Sequence, residues 1–115
     1  MEIEKIYRQG DVLLFKIKEE KMYQALSKES EVILEKGEVT GHMHRLKGNI
    51  EMLEHTPSNQ FFIISNSNEI LFRVVENAVL THEEHDLLVL EKGIYLKIQQ
   101  VEYNPFNNMT RFVMD

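Results

Sequence analysis

The sequence predicts a mainly β, antiparallel fold: a small barrel or sandwich with at most one or two short helices. Three observations predict it. Alanine occurs only at Ala25 and Ala78 while Ile and Val are plentiful, a balance that favours strands over helices. Apolar residues alternate at period two in several short segments. Gly, Asn, Asp and Pro punctuate those segments at close intervals, as in sandwiches and small barrels. The 115 residues contain no repeat and no Pro/Gly/Ser-rich linker, so one β-rich domain over residues 1–115 is expected.

After the Gly10–Asp11 turn, Val12–Lys18 reads as a strand, with Leu13, Phe15 and Ile17 on one face and Lys16 and Lys18 on the other. Glu19–Ser30 is polar with one apolar stripe from Met22, Tyr23 and Leu26, and is expected to be a short helix or an irregular excursion. Glu31–Glu35 is a second strand and Val39–Leu46 a third. Lys47-Gly48-Asn49 carries a turn signal before a fourth strand at Ile50–Glu54. Thr56-Pro57-Ser58-Asn59 and Ser65-Asn66-Ser67-Asn68 are loops by composition, and Phe61–Ile64 between them is a short apolar strand. Ile70–Val75, Ala78–His82 and Leu87–Leu90 follow. A turn is expected at Glu91-Lys92-Gly93, and then Ile94–Val101 alternates with Ile94, Leu96 and Ile98 on one face.

Composition excludes several kinds of chemistry. There is no Cys, so disulfides, iron–sulfur clusters, thiolate zinc sites and a Cys nucleophile are ruled out. The 13 basic and 19 acidic residues give a net charge of −6, with the Lys and Arg scattered, so a nucleic-acid partner is not expected. No window reaches the ~18 apolar residues of a membrane helix and no leader pattern opens the chain, so a cytoplasmic location without a membrane partner is expected. No Gly-x-Ser-x-Gly, Gly-x-x-x-x-Gly-Lys or Gly-x-Gly-x-x-Gly motif occurs.

The histidines carry the chemistry. Four of the five form two close pairs. His42 and His44 in Gly37-Glu38-Val39-Thr40-Gly41-His42-Met43-His44 are two apart, so a strand would point both to one face. Two such imidazoles repel if both are charged and become useful as neutral ligands of one cation. His82 and His85 in His82-Glu83-Glu84-His85 are three apart. That spacing shares a face only if the segment leaves the ladder as a turn. Glu83 and Glu84 lie between them as oxygen ligands or general bases, with Asp86 alongside. The spacing is one residue short of the zinc-protease His-Glu-x-x-His. A cupin site is closer in kind, but the Glu expected soon after His44 is missing, and Glu51 comes late. All four rings are expected to converge on one pocket that loses metal below pH ~6. His55, next to a Pro loop, reads as a surface residue.

As a whole, the pattern resembles a family of small microbial proteins of uncharacterised activity. The resemblance rests on Arg8-Gln9-Gly10-Asp11-Val12-Leu13-Leu14, on Gly37–Leu46 with its Gly-Glu-Val-Thr-Gly-His-x-His core, on His82–His85, on Gly93-Ile94-Tyr95, and on Gln100-Val101-Glu102-Tyr103-Asn104-Pro105. It implies a shared fold and a shared site, and supplies no activity.

Three functions fit these residues. The first is a divalent-metal site (Zn, Mn, Fe or Ni) with His42, His44, His82 and His85 as ligands and Glu83 or Glu84 as base, serving a metal-dependent hydrolase of unknown substrate. The second is metal-free acid–base chemistry by the same imidazoles. The third is a non-enzymatic interaction module in which the motifs pack a loop. A homodimer is also expected, because Ala78–His82 and Phe61–Ile64 are apolar and would be poorly guarded as sheet edges.

Overall fold

Long strands that bend, rather than many short ones, build this molecule. The computed structural model describes residues 2–19, 22–36, 41–55, 69–99, 101–104 and 109–112, with side chains as far as Ile98. Along the chain run β1 (Ile3–Gln9), β2 (Val12–Ile17), β3 (Ala25–Lys36), β4 (Met43–Leu53), β5 (Ile70–Thr81), β6 (Leu88–Gln99), β7 (Val101–Asn104) and β8 (Met109–Phe112). The first six form one antiparallel sheet in the order β1-β2-β6-β5-β4-β3, and β7 and β8 pair as a two-stranded ladder. No helix occurs among the described residues, and none there is long and apolar enough to cross a membrane. The fold is therefore all-β, as expected, but the sheet is not closed into a barrel, since β1 and β3 remain its two edges.

Several expected boundaries move. Lys47-Gly48-Asn49 and Glu91-Lys92-Gly93 are not turns: each lies inside a continuous strand, β4 and β6. The ladders lose register there instead, between Gly48 and Ile50 on the β4–β5 side and between Val74 and Asn77 opposite Gly93 and Glu91. Glycine in a strand marks a bulge or a close backbone approach as readily as a turn. At Gly48 the approach is explicit, because a Cβ there would lie 2.6 Å from the Asn77 carbonyl oxygen and 2.9 Å from Ala78 Cα. Among the described residues of Glu19–Ser30 there is no helix; from Ala25 the segment is the outer half of β3, whose residues Ala25–Glu31 are all exposed. The stretch before Gly10 is a strand that the alternation did not mark, β1. The expected strand Phe61–Ile64, the two Asn/Ser loops and Gly37–Thr40 lie outside the described residues.

The bends let the sheet curl over itself. Across a flat sheet, β6 and β3 would stand three strand spacings apart, about 14 Å. Yet Lys97 on β6 donates to Glu35 on β3 at 2.8 Å, and Gln9 at the end of β1 reaches the carbonyl of Leu80 on β5 at 3.0 Å. The inner face encloses Val12, Leu14, Leu34, Leu46, Ile50, Phe72, Val74, Ala78, Leu80, Leu90 and Tyr95. The other face buries Phe15, Ile17, Leu53, Leu71, Ile94, Leu96 and Ile98, with Leu13 and Tyr23 against them. Ile94, Leu96 and Ile98 share that face as the alternation requires. Tyr95 points inward, where burial pushes its phenol well above the usual range and its hydroxyl donates to the Glu91 carbonyl at 2.8 Å. Its role is packing. Ala78–His82, taken from sequence as an edge, lies up to Thr81 in β5 between β4 and β6, with His82 just after it. Its apolar character comes from burial in the core.

Candidate functional site

The curl brings three short segments together at one end of the inner face. His42 immediately precedes β4 and His44 is its second residue. His82–Leu87 connects β5 to β6 as a bent loop, which is the departure from the ladder that the i, i+3 spacing requires. Register sets β4 against β5, with Arg45 opposite Thr81, so the start of β4 and the end of β5 lie side by side. The third segment is the tight Gly10–Asp11 turn between β1 and β2.

Four imidazoles meet there. Ring centroids lie 4.3 Å apart for His44 and His82, 4.7 Å for His82 and His85, 5.8 Å for His42 and His82, and 6.1 Å for His44 and His85. About forty residues separate the pairs in sequence, and His82 touches all three of the others. Its proton affinity is lowered, first by burial, then by the neighbouring His44 and His85, and also by His42. The ring is thus held neutral at neutral pH, the form that can ligate a metal.

The carboxylates flank this cluster unequally. Glu83 accepts a 2.6 Å hydrogen bond from the Met43 backbone N–H, and this bond is the main cause holding its carboxyl below the usual range. It therefore pins the loop to β4 and stays ionised. Glu84 lies 3.5 Å from His42 Nδ1 through Oε1. That buried Nδ1 makes no hydrogen bond among the described residues. Donor atoms of His42, His82 and Glu83 all fall within 4.8 Å of one another. The backbone N–H of Glu84 donates to His82 Nδ1 at 3.0 Å, so a metal taken up by this ring would require the loop to adjust.

Sequence reasoning missed the wall opposite. Gln9 is buried, and its amide nitrogen donates to the carbonyls of Leu80 (3.0 Å) and Asp86 (2.9 Å). Its amide oxygen is then left to accept from His44 Nδ1 at 2.9 Å. Such a partner on the far nitrogen fixes an imidazole's tautomer and orientation. Asp11 places Oδ1 3.4 Å from His44 Nε2. Gly10 has φ +60°, and a Cβ there would stand 2.7 Å from His85 Nε2 and 3.3 Å from His44 Cε1. Gly10→Ala is therefore expected to cost about 1–2 kcal/mol through the left-handed backbone and to displace the His85 ring. Chemical denaturation and a shift of the His85 ring resonances check both effects. The only sequence signal for this wall was the Gly-Asp turn within the Arg8–Leu14 piece.

Other expectations fall elsewhere. Arg45, the one strong cation beside the motifs, is paired with Glu31 on β3 at 2.8 Å. His55 is not the surface residue expected: its side chain is only 12% exposed and faces Glu69 at 3.8 Å. Gln100, Glu102 and Tyr103 lie beyond the described side chains.

A family model described as Domain of unknown function (DUF8820) matches residues 8–100, a span that holds Gln9, Asp11 and all four clustered histidines. No curated protein and no solved structure matches the chain significantly.

Proposed function

The chain belongs to this family of unknown function, and from its own side chains we propose that it is a divalent-metal-binding β-domain with His42, His82 and Glu83 as ligands. One observation carries the reading: the donor atoms of these three residues lie within 4.8 Å of one another at a site where other imidazoles crowd in. Two borderline nitrogen donors and one carboxylate suit Zn²⁺, Mn²⁺, Fe²⁺ or Ni²⁺. Two features of the protein prepare the ligands. His82 is kept neutral by burial and by its neighbours, and Glu83 is kept ionised by the Met43 N–H. The buried Nδ1 of His42 makes no hydrogen bond among the described residues, and a bound cation would give it a partner.

His42, His82 and Glu83 would hold such a metal with room for water, and the metal would supply a lowered water pKa, toward ~7, as in a metal-dependent hydrolase. With Glu83 engaged as a ligand, Glu84 is the carboxylate left to serve as base, beside His42 at 3.5 Å. The experiment is elemental analysis of the protein purified without a His tag. The reading expects about one equivalent of a divalent first-row metal, and metal-free protein that takes none back up would overturn it.

The pH dependence follows from His82. Its folded-state proton affinity lies below the ordinary value, so protons compete for it only below the usual imidazole range. Metal affinity is expected to stay level from pH 8 to about 6.5 and to fall below that. The metal-free protein follows the same sign. As pH drops through about 6.5, the unfolded chain takes up the His82 proton before the folded one does, so stability decreases with acidification. Urea denaturation of metal-free protein at pH 7.5 and pH 5.5 checks this, and higher stability at the lower pH would contradict it.

A further inference from the structure

We propose that His44 and Asp11 hold a second divalent cation beside the first, between His44 Nε2 and Asp11 Oδ1. The argument begins at Gln9. Both carbonyls that face its amide, those of Leu80 and Asp86, accept hydrogen bonds, so its nitrogen must point to them. Its oxygen therefore faces His44 Nδ1 at 2.9 Å, and the imidazole proton sits on that nitrogen. The other ring nitrogen of His44, Nε2, then faces the Asp11 carboxylate oxygen. The His44 side chain is 2% exposed and that of Asp11 24%, so the pair opens to solvent on the Asp11 side, where a cation can enter. A cation held between them would bond to both.

The spacing agrees. Nitrogen and oxygen donors at roughly 2.0–2.2 Å from one tetrahedral cation stand about 3.4 Å apart. His44 Nε2 and Asp11 Oδ1 are separated by 3.4 Å, longer than the ~2.7–2.9 Å of a charge-assisted N–H···O hydrogen bond. Gln9 supplies the outer partner that ligating imidazoles need to fix their orientation. Gly10, lacking a side chain, leaves the approach beside His85 Nε2 open. One imidazole and one carboxylate leave most of the coordination sphere to water or substrate oxygens. The site thus takes a first-row divalent cation, as the first does. The inference extends the metal reading above but uses separate residues.

The test counts metal. Tag-free protein is saturated with Co²⁺, freed of excess by gel filtration, and measured by elemental analysis and native mass spectrometry. Wild type is expected to hold two equivalents, Asp11→Asn one, and Glu83→Gln one. Asp11→Glu, which keeps the charge but moves the oxygen, is expected to weaken the second equivalent at least 10-fold and serves if Asp11→Asn fails to fold by circular dichroism. Wild type that holds only one equivalent, kept in Asp11→Asn and lost in Glu83→Gln, or Asp11→Asn that still holds two, overturns the proposal and leaves His42, His82 and Glu83 standing. One equivalent lost in Asp11→Asn but kept in Glu83→Gln supports this site and overturns the other. No bound metal overturns both.

Discussion

His82→Ala is expected to weaken metal binding by more than about 100-fold, beyond the ~10–100-fold loss seen when only an outer partner of a ligand is removed. His82 is the hub of the cluster, in ring contact with His42, His44 and His85. It also sits in the loop after β5 rather than in the ladder, so its loss leaves the sheet's pairing intact. Far-UV circular dichroism should therefore be unchanged while a competition titration against a chromophoric chelator shows the loss. The variant makes a second, independent statement. Because the buried ring resists protonation, removing it removes part of the acid sensitivity of the metal-free protein. The stability difference between pH 7.5 and pH 5.5 should shrink in His82→Ala. An unchanged difference would place the acid-sensitive group elsewhere.

Gly48→Ala should produce the largest loss of stability of any single methyl group added to the sheet. The new Cβ would meet backbone, 2.6 Å from the Asn77 oxygen and 2.9 Å from Ala78 Cα, so no side-chain rotation relieves it. Relief requires β4 and β5 to separate where both are bending. Overpacking of this kind costs about 1–3 kcal/mol, which for a domain of this size lowers Tm by roughly 5–15 °C. Gly93→Ala is the contrasting case. There a Cβ meets only the flexible Lys16 side chain, 2.6 Å from Cε, which can swing away. Thermal melts of the two variants should differ by several degrees, with Gly48→Ala the lower. Equal melting temperatures would mean that the bend at Gly48 does not need the close approach.

The two variants also mark what was legible in the sequence. Alternation found the cores of β2, β5 and β6 because each strand has two distinct faces, as Ile94, Leu96 and Ile98 show against the inward Tyr95. It found only the inner half of β3, at Glu31–Glu35, for a physical reason. The outer half of that strand, Ala25–Glu31, is exposed on both faces and carries no periodic signal, so it resembled a polar helix or loop. The two misplaced turns share one cause. A local pattern of Gly among polar residues is the same for a chain that reverses and for a strand that bends through a bulge, and only the partner strand distinguishes them. The curl that results is a long-range property. It alone brings Gln9 to His44 and Lys97 to Glu35, so no local pattern could announce those pairs.

The site was half legible for the same reason. His42, His44, His82 and His85 declared themselves by spacing within short segments, and β4–β5 pairing brings the segments together. The order of importance among them was not legible. His44, one of two equal partners in the sequence pattern, is the most buried and is turned by Gln9 toward Asp11, whereas His42 keeps company with Glu83 and Glu84. Glu83 read as an oxygen ligand or a base from its place between His82 and His85. The Met43 N–H that it accepts makes it a fixed, ionised oxygen suited to ligation.

The central claim is that His42, His82 and Glu83 share one cation. The most direct measurement is a crystal structure of zinc-loaded, tag-free protein with anomalous data collected on both sides of the zinc absorption edge. The account predicts an edge-dependent peak bonded to one nitrogen of His42, one nitrogen of His82 and a Glu83 oxygen, each at roughly 2.0–2.2 Å. Zinc held only by other residues, or no edge-dependent peak at this end of the sheet, would contradict it.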